Sequence, residues 1–299
     1  MCADAIEDRL DEVRALMTRT VGQTSVAPTM GSWNGLMGSG KMLRARMAFR
    51  LGPALGTPGE TLCHAAAAVE LVHVASLLHD DVIDGGHLRR GAPTFWKERG
   101  IPGAILLGDL MLFTALNLVS KFEGGRLTQD LIRATGDVCD AETEQELILR
   151  GQVPDWDKCV SIAQRKTGAL FAFVASVCGH DDEKAREALY TAGSKIGTAY
   201  QLADDILDAT GSVEDAGKSL GSDEARSKTT AFTAMQRNGA DPVSSIEQLC
   251  REAEEVLQPW PELQEAWKVY VSADLRPALD SNLARFREFS LSAASDQDS

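Results

Sequence analysis

Two aspartate clusters set the chemical question. The stretch LLHDDVIDGGHLRR, residues 77–90, places Asp80, Asp81 and Asp84 directly after an apolar run, with Arg89 and Arg90 just beyond. The stretch ADDILD at 203–208 repeats the arrangement with Asp204, Asp205 and Asp208. On a helix, residues four apart share a face. Asp80 and Asp84 therefore project together, as do Asp204 and Asp208, while Asp81 and Asp205 are displaced to one side. Like charges at this spacing repel and need an offsetting cation, and neither motif contains lysine. Hard divalent ions fit. Mg2+ takes a few carboxylates and completes its shell with waters and phosphate oxygens. Acid clusters at helix ends are usually solvated surface, but two copies embedded in apolar helix favour metal binding.

The nearby cations suit a phosphate held by such a metal. Arg89 and Arg90 could form local ion pairs with the aspartates, yet a metal-bound diphosphate between them would satisfy both. Lys41 and Arg44 stand three apart after a glycine-rich loop, which predicts one shared helical face. Taken alone, that face reads as solvated. Lys166-Thr167 and Lys218 add further candidates. His73 lies seven residues before Asp80, two turns up the same helix and on nearly the same face. A lone histidine there is more often a satisfied core residue; with a second phosphate nearby it becomes a donor. Gln201 precedes Asp204 by three and faces the same side.

The elements that must position these groups are helical. Ile6, Leu10, Val13 and Met17 recur at intervals of three or four. Alanine-rich runs such as CHAAAAVELVHVASLL and KTGALFAFVASVCG favour close helix packing, and no convincing set of alternating strands is present. Gly/Pro clusters at 22–40, 52–59, 100–103 and 238–242 read as connections between helices. The expected fold is an all-α bundle whose central helices are apolar on most sides. The two aspartate motifs would face each other across one deep central cavity.

Composition narrows the class. The 299 residues, 44% of them hydrophobic, can bury a sizeable core, and no linker or low-complexity tract divides them. A single domain over 1–299 is expected, with 290–299 a frayed polar tail. The net charge of −14 argues against nonspecific nucleic-acid or anionic-membrane binding. Six scattered cysteines without a CxxC pair, and no signal peptide, point to a reduced cytoplasmic setting. The apolar stretch 100–120 carries Asp109 and several glycines, so it reads as a buried core helix and not as a membrane span.

These residues resemble the all-trans isoprenyl diphosphate synthases, or polyprenyl synthetases. The stretches GKMLR, ELVHVASLLHDDVIDGGHLRRGAPT, GDLMLFTAL, RKTGALF, YQLADDILDATG and GKSLGSD occur in family order and at family-like spacing, over roughly 35–235. The resemblance implies a homodimeric isoprenoid-synthase-type bundle and Mg2+-dependent head-to-tail (1′–4) condensation of isopentenyl diphosphate with an allylic diphosphate. It assigns metal binding to Asp80, Asp81, Asp84, Asp204, Asp205 and Asp208, with three Mg2+ in the closed complex. Of these, Asp80, Asp84 and Asp204 are the direct holders. Arg89, Lys166 and Lys218 match residues that grip the allylic diphosphate. Lys41, Arg44, His73 and Arg90 match those that bind isopentenyl diphosphate. Thr167 and Gln201 match groups facing the developing carbocation, and Lys228 a further phosphate-facing lysine.

This chain also departs from the family pattern. Met42, Ala45, Gly85-Gly86-His87, Ser227 and Ala231-Phe232 replace residues more frequent there. The metal positions are intact. Small-product members often carry a bulky aromatic four or five residues before the first aspartate. Here Ser76 and Ala75 stand at those positions, so a product of C20 or longer is expected, with Met111, Phe113 or Leu116 as an alternative floor. A short-chain farnesyl or geranyl diphosphate synthase is the alternative. A terpene cyclase is disfavoured by the intact second motif, and a non-catalytic regulatory subunit by the survival of both motifs. An oxygen-activating di-metal bundle lacks its ExxH ligands.

Overall fold

The computed structural model describes residues 3–32, 36–37, 40–89, 91–152, 154–210 and 241–279. Helix α1 (Ala3–Val21) buries the predicted stripe, with Ile6, Leu10, Val13 and Met17 wholly inside. A short 3-10 turn at Ala27–Ser32 follows. Helix α2 (Leu43–Leu51) starts after Met42, which adopts a left-handed conformation at φ 49°. Helix α3 (Gly59–Ile83) has 25 residues, about 37 Å at 1.5 Å per residue. Its Ala65–Ala68 run is fully buried, and α1, α2, α4 and α7 pack around it.

A hairpin of two two-residue strands, β1 (Leu88–Arg89) and β2 (Ala92–Pro93), follows the first aspartate motif. Helix α4 (Phe95–Val119) then runs antiparallel along α3. The expectation of a connection at 100–103 is corrected here. Gly100, at φ 77° and ψ 162°, makes a kink inside α4 and the helix continues. Pro102 falls in the first turn after that break, where a missing N–H has no helical partner to lose.

Helix α5 (Arg126–Thr143) passes into a π turn at Glu144–Ile148. Helix α6 (Trp156–Ala163) is capped by Asp155, whose side chain accepts from the Lys158 amide. It passes through a second π turn, Gln164–Gly168, into α7 (Ala169–Val177), every residue of which is buried. Helix α8 (Glu183–Thr210) lies along α7 and the π turn. Glycines at their contact, Gly168 and Gly197, let the two backbones approach closely. Helices α9 (Pro242–Glu255) and α10 (Pro261–Tyr270) close the bundle, α9 starting from the Asp241 cap with Pro242 at its first position.

One large cluster of buried side chains draws on every helix among the described residues, from Ile6 to Leu279. Each fully buried Leu, Ile or Phe contributes about 1.5–3 kcal/mol by leaving water. Among the described residues the fold is all-α apart from the small hairpin. By length and composition, α3 and α4 could each cross a membrane, but their most apolar windows differ in burial, 72% for α3 and 39% for α4. The expected buried core helix at 100–120 is thus buried on one side only. Ile101, Ile105, Leu106 and Phe113 lie exposed on the other.

Candidate active site

The first motif closes α3. Asp80 and Asp81 lie in its last turn, and Asp84 is the C-cap residue, its amide bonding to the Asp80 carbonyl at 2.7 Å. Asp80 and Asp84 are half-buried and Asp81 is buried. The three acids therefore divide as their helical spacing predicts. Asp81 turns to Arg89, which it holds through Nε at 2.9 and 3.1 Å and Nη2 at 2.8 Å. Burial pushes the Asp81 carboxyl above its ordinary value, and the hydrogen bond and charge of Arg89 pull it back.

The second motif lies in the last two turns of α8, with Asp204 and Asp205 half-buried. Asp208 belongs to the same helix. A polar chain connects this motif to the π turn. The Thr167 hydroxyl, buried in the π turn, donates to Gln201 Oε1, and Gln201 Nε2 donates to Asp205 Oδ1 at 2.7 Å. Next in sequence, Lys166 forms an ion pair with Glu142 of α5. The carboxylate oxygens of Glu142 are shut away from solvent. Beside it, burial raises the Cys139 thiol, and the negative charges of Glu142 and Asp80 raise it further. Glu142–Lys166 and Thr167–Gln201–Asp205 thus tie α5, the π turn and α8 together, and the charge of Asp80 at the end of α3 is felt at Cys139 on the same α5.

Glu142 escaped the sequence reading. In DAETEQE it is one acid among several, and only the fold distinguishes it. A single chain position also explains why both Lys166 and Thr167 point into the site. The π turn widens the helix there, a feature that recurs at functional positions.

Lys41 and Arg44 do not share a helical face. Lys41 is exposed and precedes the helix, whereas Arg44 is buried inside it. The Arg44 guanidinium lies over the Phe171 ring, 4.8 Å from its centroid. Burial lowers its pKa from the ordinary value, and buried Glu70 pulls it back up. Glu70 also accepts from the Ala45 amide at 3.2 Å. His73 is half-buried in α3, its carbonyl accepting from the Ser76 hydroxyl at 2.9 Å.

Ala75 is fully buried and Ser76 half-buried. Of the alternative floor residues, Met111 is buried and Leu116 packs against the core, but Phe113 is 72% exposed and turns away from it. Arg90, Lys218, Ser227, Lys228, Ala231 and Phe232 lie outside the described residues.

The donors fit a hard divalent ion. They are carboxylate oxygens, and Asp80, Asp84, Asp204 and Asp205 retain solvent access. Among the described residues, no three His, Cys, Asp or Glu converge closely enough to hold a metal by themselves. Mg2+ held by Asp80, Asp84 and Asp204 would complete its shell with waters and phosphate oxygens.

An all-α bundle carrying one aspartate motif at the end of α3 and a second at the end of α8 defines a class. The chain belongs to the polyprenyl synthetase family, whose model matches residues 32–261. It is 31% identical over 216 residues to the octaprenyl diphosphate synthase of Haemophilus influenzae, covering 71% of this chain and 66% of that one. It is 32% identical over 225 residues to the farnesyl diphosphate synthase of Bacillus subtilis, covering 69% and 74%. The chain spans between 54% and 66% of the length of five such curated relatives. Among solved structures, a Caulobacter crescentus polyprenyl synthase complexed with calcium and isoprenyl diphosphate superposes with a TM-score of 0.71 at 28% identity, over 95% of each chain.

Proposed function

We propose that this chain is a prenyltransferase that condenses isopentenyl diphosphate head-to-tail (1′–4) with an allylic diphosphate, using Mg2+. The observation that carries the reading is the run of contacts that ties the second aspartate motif to the π turn and α5 through Gln201, Thr167 and Lys166. Asp80, Asp84 and Asp204 would hold Mg2+, supported by Asp205 and Asp208, with three ions in the closed complex. Bound there, Mg2+ stabilises the negative charge that develops on the departing pyrophosphate.

The chain's own groups do the rest. Arg89, Lys166 and Lys218 grip the allylic diphosphate. Lys41, His73 and Arg90 serve isopentenyl diphosphate, with Lys228 as a further phosphate contact. Buried Arg44 supports that wall from behind. Thr167 and Gln201 turn their dipoles toward the allylic carbocation, and apolar walls exclude the water that would quench it. The carbon tail descends a central cavity past Ala75 and Ser76, giving a product of C20 or longer.

The same proposal includes a homodimer. The exposed apolar residues of α4 need a cover, and a second copy of α4 would supply one. A cytoplasmic setting also belongs to it. Among the described residues no disulfide joins Cys63, Cys139, Cys159, Cys178 or Cys250.

The test is a labelled isopentenyl diphosphate assay on the isolated chain with C5, C10, C15 and C20 primers, with and without Mg2+. Metal-dependent elongation is expected. Hydrocarbon formation from the allylic substrate alone would identify a cyclase, and farnesyl diphosphate as sole product would overturn the length assignment.

A further inference from the structure

We infer that Arg46 is a positioning residue that ends helix α2 short of Lys41 and so fixes the point from which Lys41 reaches isopentenyl diphosphate. The inference rests on the proposed reaction and adds a residue that no motif singles out. It starts from the backbone. Among the described residues, Met42 and His180 are the non-glycine residues with positive φ. Met42 is 4% exposed and, at φ 49° and ψ 44°, lies in the left-handed region that β-carbon sterics disfavour. Such a conformation persists where its surroundings impose it, and it recurs at functional sites.

The surroundings are two side chains that replace one helical hydrogen bond. Were α2 to run on through Lys41, the Lys41 carbonyl would accept from the Ala45 amide. Here each half of that pair has another partner. The Ala45 amide donates to Oε1 of buried Glu70 on α3 at 3.2 Å. The Lys41 carbonyl accepts from Arg46 Nε at 2.9 Å. The first helical bond is then the one from the Arg46 amide to the Met42 carbonyl, also at 2.9 Å. Lys41 stays outside the helical path and exposed.

Arg46 is itself held from two sides. Its Nη1 donates to Asp274 Oδ1 at 3.3 Å and its Nη2 to Glu7 Oε1 at 2.6 Å. Asp274 lies in the π turn Val271–Leu275, its side chain 3% exposed, and also accepts from Arg50 Nε at 2.7 Å. Just before that turn, the Tyr270 hydroxyl donates to the Leu43 carbonyl at 3.3 Å. The three nitrogens of one guanidinium therefore join α1, the Lys41 carbonyl and the π turn that follows α10. A planar fork can make all three contacts at once, and the compact ammonium of a lysine cannot.

The test compares Arg46→Lys, Lys41→Ala, the double variant and Glu7→Gln with wild type, in steady-state kinetics with each substrate varied in turn. Arg46→Lys keeps a cation beside Asp274 and Glu7 and removes the bond to the Lys41 carbonyl. It is expected to raise the KM for isopentenyl diphosphate ~10-fold, the lower end of what one hydrogen bond to a charged group is worth. The KM for the allylic substrate should stay at the wild-type value. In the Lys41→Ala background, Arg46→Lys should add nothing. Glu7→Gln, which weakens the exposed link alone, should match wild type in both KM values.

An unchanged KM for isopentenyl diphosphate, an equal rise in both KM values, or a full further rise in the Lys41→Ala background would overturn the inference. If Arg46→Lys does not fold, Arg46→Met fills the volume of the arginine stem and leaves Asp274 paired with Arg50, and its KM values decide in the same way. A wild-type chain that forms no product overturns the proposed reaction. Calorimetric titration with isopentenyl diphosphate then makes the same comparison: binding ~10-fold weaker in Arg46→Lys supports the inference, and equal binding overturns it. A wild-type chain that binds none overturns both.

Discussion

The approach of α8 to the π turn is the contact on which the joined site depends, and Gly197→Ala tests it. A Cβ at Gly197 would lie 2.8 Å from the Gly168 Cα and 2.9 and 3.0 Å from Phe171 side-chain carbons. The nearest obstacle is backbone, which cannot rotate away. Reaching an ordinary contact near 3.4 Å requires a retreat of roughly 0.6 Å, on a potential that is steep at short range. Overpacking of this kind costs about 1–3 kcal/mol. Replacing a mid-helix glycine by alanine returns up to about 1 kcal/mol. With the backbone contact at the upper part of that range the clash wins, and the net loss is about 2 kcal/mol, or roughly 4–8 °C in Tm. The displacement falls one turn before Gln201 and two before Asp204, so it stretches the Thr167–Gln201 bond. Misplacement approaching 1 Å at a reacting centre lowers kcat by about 10- to 100-fold. Thermal unfolding and single-turnover kinetics would read both effects. Gly136→Ala is the control. It lies in α5 with nothing within 4 Å of an added Cβ, so it should stabilise by about 0.5–1 kcal/mol. If Gly197→Ala is as stable and as active as wild type, the close approach of α8 does not hold the site together.

Four further outcomes are expected. Glu70→Ala leaves buried Arg44 without its compensating acid and should cost about 3–5 kcal/mol in urea unfolding; a loss under about 1 kcal/mol would mean that Phe171 stacking suffices. Phe113→Glu, on the exposed side of α4, should convert a dimer to a monomer in sedimentation velocity, and an unchanged sedimentation coefficient would remove α4 from the interface. Ala75→Phe should shorten the product in chromatography of the reaction mixture; an unchanged distribution means the tail runs elsewhere. Hydrogen bonds from Lys158 and Arg165 hold the Glu144 carboxyl below its ordinary 4.5. A depressed acid stabilises the fold above its unfolded pKa and loses that contribution as pH falls through the folded value. The Tm advantage of wild type over Glu144→Gln should therefore be constant from neutral pH to about 5 and shrink below 4.5. A constant difference down to acid pH would assign the effect to packing.

How far the sequence could be read depended on whether a residue's partner was local. The stripe Ile6, Leu10, Val13 and Met17 repeats with the helical period and is buried as such. The family stretches located both motifs, because four-residue spacing on a helix is a local fact. Errors arose where tertiary context decided. Lys41 and Arg44 share a face only if the helix begins before Lys41. It begins at Leu43, behind the left-handed Met42, and Glu70 on a different helix draws Arg44 inward. In sequence, Met111 and Phe113 are two equally apolar candidates for the alternative floor. Two residues along a helix turn the side chain by about 200°, which places one inside and the other out.

The π turn at Gln164–Gly168 shows why a site can hide in a legible helix. A regular helix would send Lys166 and Thr167 about 100° apart and keep the apolar register of α6 and α7 continuous. The wider turn shifts that register between Ala163 and Ala169, so both flanks stay buried while the polar pair is delivered between two neighbours. Lys166 then meets Glu142 on α5 as Thr167 meets Gln201 on α8. Gly168 follows at once and clears the backbone for α8, since a Cβ there would lie 2.8 Å from the Ser194 carbonyl oxygen. The stretch RKTG is therefore one mechanical unit, in which Lys166 and Thr167 supply contacts to two helices and Gly168 sets the distance at which the second contact can form. Enlarging Gly168 should damage the Thr167–Gln201 bond even though both partners remain, which is the sense in which a residue without a side chain belongs to this site.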